Sequence, residues 1–175
     1  MIYFIADTHF GHKNIIEYEN RHFDNVDEMD NYMIEQWNEV VNNDDIVYHL
    51  GDFALCATKK YFDIFNQLNG EKYLIRGNHD QQSKHKLIDR MGFVEVFDEL
   101  IIDDKYFLSH RPDFNVTKNY INIHGHKHGL NYKDSKSQKS NKHICVSVEL
   151  IDYKPISIDK IRNELILKEG LKKSF

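Results

Sequence analysis

Five short blocks of the chain carry side chains that could bind a metal ion or move a proton. They are Asp7-Thr8-His9, Gly51-Asp52, Gly77-Asn78-His79-Asp80, Ser109-His110 and Gly125-His126-Lys127-His128. Their donors are carboxylate oxygen, amide oxygen and imidazole nitrogen, with no cysteine in any block. Such donors suit Mn, Fe, Zn, Ni or Co better than the all-oxygen cages that select Mg or Ca. More candidate ligands stand here than one tetrahedral ion accepts. Two ions sharing a bridging carboxylate would use them. Histidine also exchanges protons near neutral pH, and Asp80 is placed to hold the imidazole of its neighbour His79 in one orientation.

Such scattered blocks form a site only if the fold brings them together. Each one follows an apolar run of strand length. Residues 2–6 precede Asp7, Ile46 to Leu50 precede Gly51, and Tyr73 to Ile75 precede Arg76-Gly77. Lys105 to Leu108 precede Ser109, and Tyr120 to Ile123 lead into the fifth block. Between them lie helical patterns. Val26, Met29, Met33, Trp37 and Val40 recur at helical spacing from Asp24 or Asn25 to Val41. Asn14 to Asn20 forms a short helical turn, and Ser83 to Met91 a weaker helix. A helix capped by Thr58 runs through Leu68, using Tyr61, Phe62, Ile64 and Phe65. Phe93–Ile102 and Lys105–Leu108 read as a hairpin or adjacent strands around Asp103-Asp104, and His143–Leu150 as a strand. The polar residues 132–142 read as an exposed loop. Asp159 caps a last helix with Ile161, Leu165 and Ile166 on its apolar side. Alternating strands and helices, followed mostly by strands, predict an α/β sandwich, one domain over residues 1–175. Ligand sites in layered α/β folds lie outside the carboxyl ends of strands, where all five blocks fall.

Composition narrows the function. Of 175 residues 41% are apolar and 29% charged, as in a globular chain. The net charge of −5 supplies no overall basic field for nucleic acid, which is therefore not favoured as a partner. Cys56 and Cys145 lack metal-ligand spacing and read as buried thiols of a reducing compartment, which points to the cytoplasm. No run of 18 apolar residues is present to span a membrane.

Together the blocks resemble the calcineurin-like metallophosphoesterase family, whose pattern is DxH, GD, GNH followed by D or E, a lone H, and GHxH. All five occur here in order between residues 7 and 128, and the opening resembles a small branch of phages and bacteria. The resemblance implies a sandwich of two mainly mixed β-sheets flanked by helices in αββα layers. It implies one ion on Asp7, His9, Asp52 and His128, and a second on Asp52, Asn78, His110 and His126, with Asp52 bridging. The ions would be divalent, manganese foremost, with Fe, Zn, Ni or Co as alternatives. His79 would contact the scissile phosphate and assist the leaving group rather than ligate. The acid that some members carry three residues after the GD aspartate is Leu55 here.

The chemistry expected is hydrolysis of a phosphomonoester or phosphodiester by a metal-bridging hydroxide, with His79, oriented by Asp80, as proton donor. His12 and Arg76 flank the blocks and are candidates for substrate phosphate. The substrate would be a small molecule or a nucleotide. A nuclease or cyclic-nucleotide phosphodiesterase of the same fold is the alternative, and a non-catalytic binding module a second one. A structural metal site ranks last, because such sites are usually closed by thiolates. His49 reads as a core histidine, His124 as support behind the site, and His22, His85 and His143 as surface or loop residues.

Overall fold

The computed structural model describes residues 1–116, 119–132 and 135–172. In chain order the elements are β1 (Ile2–Ile5), α1 (Ile15–Tyr18), α2 (Val26–Val40), β2 (Ile46–His49), α3 (Thr58–Phe65), β3 (Glu71–Ile75) and α4 (Lys84–Asp89). Then follow β4 (Val96–Phe97), β5 (Glu99–Ile102), β6 (Tyr106–Ser109), β7 (Ile121–His124), α5 (Gly129–Tyr132), α6 (Lys136–Lys139), β8 (His143–Cys145), β9 (Ile156–Ser157) and α7 (Ile158–Lys172). They build two mixed sheets flanked by helices. One sheet has the order β4-β3-β2-β1-β9, the other β5-β6-β7-β8. β1 to β4 run parallel, as do β6 to β8, while β9 and β5 join antiparallel.

Alternation along the central strands divides the apolar side chains between two cores. Ile5, Val47 and Leu74 face the helices, where Met29, Met33 and Trp37 of α2 meet Tyr61, Ile64 and Phe65 of α3. Phe4, Ala6, Leu50 and Ile75 face the second sheet and pack on Tyr106, Leu108, Ile123 and Ile144. The first sheet is therefore buried on both faces, as parallel sheets are. Asn25 starts α2 by accepting from the amides of Asp27 and Glu28, and Trp37 Nε1 donates to the Asn69 carbonyl at 3.0 Å. The buried His49 is a core histidine, its Nε2 3.0 Å from Thr8 Oγ1.

Several local expectations fail for identifiable reasons. The run Phe93–Ile102 is two strands in different sheets. β4 pairs with β3, and the chain crosses over at the exposed Asp98 before β5 pairs with β6. Ala57, not Thr58, holds the N-cap position of α3, with no side-chain cap bond. His143–Leu150 stops being a strand at Cys145. Beyond it Val146 bonds to both His124 and Ala6, tying the two sheets together, and Val148–Leu150 forms one 3-10 turn. The segment 132–142 is not simply a loop: Ser135 caps α6, and Ser137 is fully buried. Residues 133 and 134 of that segment, and the side chain of Ile166, lie outside the described residues. His143 is buried at the start of β8, bonded to Ser140 Oγ and the Asp113 carbonyl, rather than on the surface.

Candidate metal centre

The five blocks meet at one end of the sandwich, at and just beyond the carboxyl ends of β1, β2, β3, β6 and β7. Leaving a strand and turning side chains inward within one or two residues demands unusual backbone. Asp7, His9, Asp52 and His126 all have positive φ, at 59°, 50°, 59° and 64°. Such conformations cost about 1–3 kcal/mol each in L-residues and cluster where function requires them. Pairing between the loops offsets the cost: Asp7 N–H donates to the Gly51 carbonyl and His9 N–H to that of Asp52, each at 3.0 Å. Two glycines permit the close approach. A Cβ on Gly77 would collide with Asp52, and one on Gly125 would lie 2.7 Å from Asp7 Oδ2.

Two clusters result. Asp7, His9 and His128 offer atoms within 4.8 Å of one another, and so do Asp52, His110 and His126. Asp52 Oδ2 stands between the clusters, 3.7 Å from His9 Nε2 and 3.5 Å from His110 Nε2. Asn78 Oδ1 lies 3.1 Å from His110 Nε2, on the second cluster's side. Neighbouring bonds fix which atom each group presents. Asp7 Oδ2 accepts from Ser147 Oγ at 2.6 Å and from the His126 amide at 2.8 Å, leaving Oδ1 turned toward His128 Nε2 at 3.7 Å. His110 Nδ1 contacts the Leu50 carbonyl at 2.8 Å, which places its proton there and leaves the Nε2 lone pair facing inward.

The donors fit divalent cations. Asp7 Oδ1 and both ring nitrogens of His9 are buried without a hydrogen-bond partner among the described residues. Orphaned buried acceptors of this kind are costly unless something binds them. Burial, followed by the neighbouring positive charges of other histidines and Arg21, drives the His9 pKa far down; burial and then His110 push that of His126 down to about 4. Both imidazoles are therefore neutral at pH 7, the form that ligates. Burial likewise raises the Asp7 carboxyl, against the pull of His128 and His110. A cation would supply the charge that this buried carboxylate lacks.

Behind this layer stands a group that the sequence reading missed. Arg21 is buried and donates to the carbonyls of Asp7 and Thr8 at 2.7 and 2.9 Å. Its Nε and Nη2 reach Glu149 Oε1 at 2.9 and 2.7 Å, and the same oxygen lies 3.0 Å from His128 Nδ1. Burial opposes protonation of His128, but the bond to Glu149 and the charges of Asp7, Glu149 and Glu19 outweigh it and push its pKa up to about 9. A carboxylate behind a ligating histidine fixes its tautomer and raises its basicity. Replacing Glu149 by glutamine keeps an acceptor for His128 and removes the charge. Glu149→Gln should weaken binding at the Asp7/His9/His128 cluster about 10- to 100-fold in a chelator competition. An unchanged affinity would make Glu149 only the partner of Arg21. Neither residue belongs to a sequence block, and the 3-10 turn that follows β8 brings Glu149 here.

Asp80 differs from expectation. Its carboxylate accepts from the backbone amides of Asp52, Gly77 and Phe53, at 2.7, 2.8 and 3.1 Å, instead of holding the His79 imidazole. Three amides around one buried carboxylate leave it little capacity for a neighbouring ring. It clamps the β2 and β3 loops together, a positioning role. His79 is exposed at the site mouth, its ring 5.4 Å from that of His9, and its amide donates to Asp52 Oδ1 at 2.8 Å. His12 lies on the same side, 5.6 Å from the His9 ring, whereas Arg76 lies in a separate recess beside Asn78 and His110. His124 sits buried next to the last block, with Nδ1 against the Gly125 carbonyl, and Leu55 is exposed.

Two oxygen- and nitrogen-lined clusters joined by one carboxylate, at the strand ends of a two-sheet sandwich, define a metallophosphoesterase arrangement. The calcineurin-like phosphoesterase family model matches residues 1–168, and the chain belongs to that family. It is 44% identical over 167 residues to an uncharacterised protein of Methanocaldococcus jannaschii, an alignment covering 91% of this chain and 88% of that one. It is 36% identical over 94 residues to the Gene 66 protein of a Mycobacterium phage, covering 49% and 45% of the two chains. The crystal structure of a protein of unknown function from Aquifex aeolicus superposes with a TM-score of 0.75 at 29% identity, over 93% of this chain and 98% of that one. These relatives fit the small branch that the opening motif resembles. Among the described residues no helix is long and apolar enough to cross a membrane.

Proposed function

We propose that the chain is a dimetal phosphoesterase that hydrolyses a phosphomonoester or phosphodiester. The observation that carries this reading is the position of Asp52 Oδ2, within 3.7 Å of an imidazole from each cluster. A carboxylate oxygen so placed suits a bridge between two cations. Asp7, His9, Asp52 and His128 would hold one ion, and Asp52, Asn78, His110 and His126 the other. Manganese is our first choice, since imidazole and carboxylate donors together suit it and exclude the softest metals. When bound, a pair of divalent ions neutralises charge on phosphate oxygens and acidifies a water near neutrality.

The protein's own groups account for the remaining steps. A cavity of about 390 Å³ opens over His9, Asp52, Asn78 and His128, with His12 and His79 on its rim. His79 is exposed where a leaving oxygen would depart, and it donates that oxygen a proton. Burial, followed by the charges of His79 and Arg21, lowers the His12 pKa, and an imidazole N–H of His12 can donate to a phosphate oxygen. Asp80 and Arg21 hold the loops that carry these groups. The alternative nuclease or cyclic-nucleotide phosphodiesterase uses the same residues and differs only in what the surrounding surface accepts.

An activity panel tests the reading. p-Nitrophenyl phosphate, bis-p-nitrophenyl phosphate, cyclic nucleotides and single-stranded DNA are each assayed with Mn, Ni, Co, Zn and Mg. We expect metal-dependent turnover of at least one ester, fastest with Mn. Tight binding of two ions with no turnover of any ester would favour the non-catalytic binding module.

A further inference from the structure

Beside the candidate centre lies a second recess of about 300 Å³, whose lining does not include His9. Arg76, Asn78, His110 and Arg111 are among the residues that line it, with the acids Asp98 and Glu99. It shares Asn78 with the cavity that His79 lines and is otherwise lined by different residues.

Both guanidinium groups have donors to spare. Arg76 Nε is inaccessible to solvent and has no hydrogen-bond partner among the described residues. The nearest acid is Asp98, at 3.8 Å on an 87% exposed side chain, a solvent-screened pair too long to be a hydrogen bond. Arg111 is exposed, and the one bond described for its guanidinium is a long contact of 3.4 Å from Nη2 to Asn78 Oδ1. Asn78 Oδ1 is also the atom proposed to ligate, so metal loading would draw it away from Arg111. Glu99, which also lines the recess, is exposed like Asp98 and so is screened by water.

One buried unpartnered guanidinium donor and a second, exposed guanidinium beside a phosphoester site suit a dianionic, many-acceptor group. We infer that the Arg76–Arg111 recess is a subsite for a second phosphate, carried on the same substrate as the phosphate to be hydrolysed. The substrate class is then an ester that carries two or more phosphate groups. This deepens the phosphoesterase reading and rests on it for the location of the scissile phosphate. A second phosphate seated here reaches the centre from the Asn78–His110 side, leaving the His12–His79 cavity for the leaving group.

Calorimetric titration of the Mn-loaded chain compares thymidine 5′-monophosphate with thymidine 3′,5′-bisphosphate, which differ by one phosphate. The wild type should bind the bisphosphate about tenfold or more tightly, the size of one good charge-assisted contact. Arg111→Ala should shrink this preference severalfold, the Arg76→Ala/Arg111→Ala double variant should abolish it, and Arg111→Lys should retain part of it. Equal affinity of the two probes in the wild type, or an undiminished preference in the double variant, overturns the subsite. The phosphoesterase reading fails separately. A preference that depends on both arginines, in a chain that hydrolyses no ester, keeps the subsite and removes the reaction. Ester hydrolysis without the preference does the reverse.

Discussion

Asparagine in place of Asp52 should remove both metal ions together and lower turnover by at least about three orders of magnitude, the scale of several kcal/mol of lost charge stabilisation. The substitution is nearly isosteric, and the fold has reason to tolerate it. Asp52 Oδ1 accepts the His79 amide at 2.8 Å, a bond that an asparagine oxygen keeps. The other position, facing His9 and His110, becomes an uncharged NH₂ group with no lone pair to offer a cation. The oxygen that would serve both ions is then gone, and its negative charge with it. Elemental analysis of protein purified with Mn should fall from two ions per chain toward none, and melting without metal should stay close to wild type. Retention of one tight ion would assign Asp52 to a single cluster and return the bridge to another ligand.

How much of this was legible in the sequence depends on how local each signal was. The five blocks are contiguous, each follows an apolar run, and the fold carries them to one place because the carboxyl ends of parallel strands point the same way. Helix α2 was equally plain, since Met29, Met33 and Trp37 keep their spacing and Asn25 caps them. Signals that depend on distant partners were not legible. Nothing around Val96 or Glu99 says that they belong to different sheets, because the decision lies with β3 and β6. The strand that should have continued past Cys145 ends because Val146 is shared between His124 and Ala6, which lie 22 and 140 residues away in sequence.

The same limit explains Glu149 and Arg21. Charged residues in a helix-to-loop stretch or after a strand usually face water, and only their burial against Asp7 and His128 marks them. Adjacency misled in the opposite direction for Asp80. A carboxylate one residue from a histidine invites pairing, yet the Gly77–Asp80 turn aims it at backbone amides of its own turn and of the neighbouring loop. A search for buried carboxylates among loop amides would have found it in the structure. No spacing rule in the sequence would.

His79→Asn should leave two ions bound and reduce turnover about 10²- to 10⁴-fold, the range of a positioned proton donor. The loss should depend on the leaving group. An alkoxide needs a proton as its bond to phosphorus breaks, whereas p-nitrophenolate departs with little help. An alkyl phosphoester should therefore lose far more than a p-nitrophenyl ester, and the ratio of the two rates is the measurement. Asp80→Asn should behave otherwise, since Asp80 contacts backbone and not the imidazole. Its amide can accept from some of those N–H groups but presents a donor to others, so it should loosen the Asp52 and Gly77 loops and weaken metal retention for all substrates alike. If His79→Asn slowed both esters equally, His79 would be a phosphate-binding group. If it emptied a metal position, His79 would be a ligand that the geometry around Asn78 does not provide for.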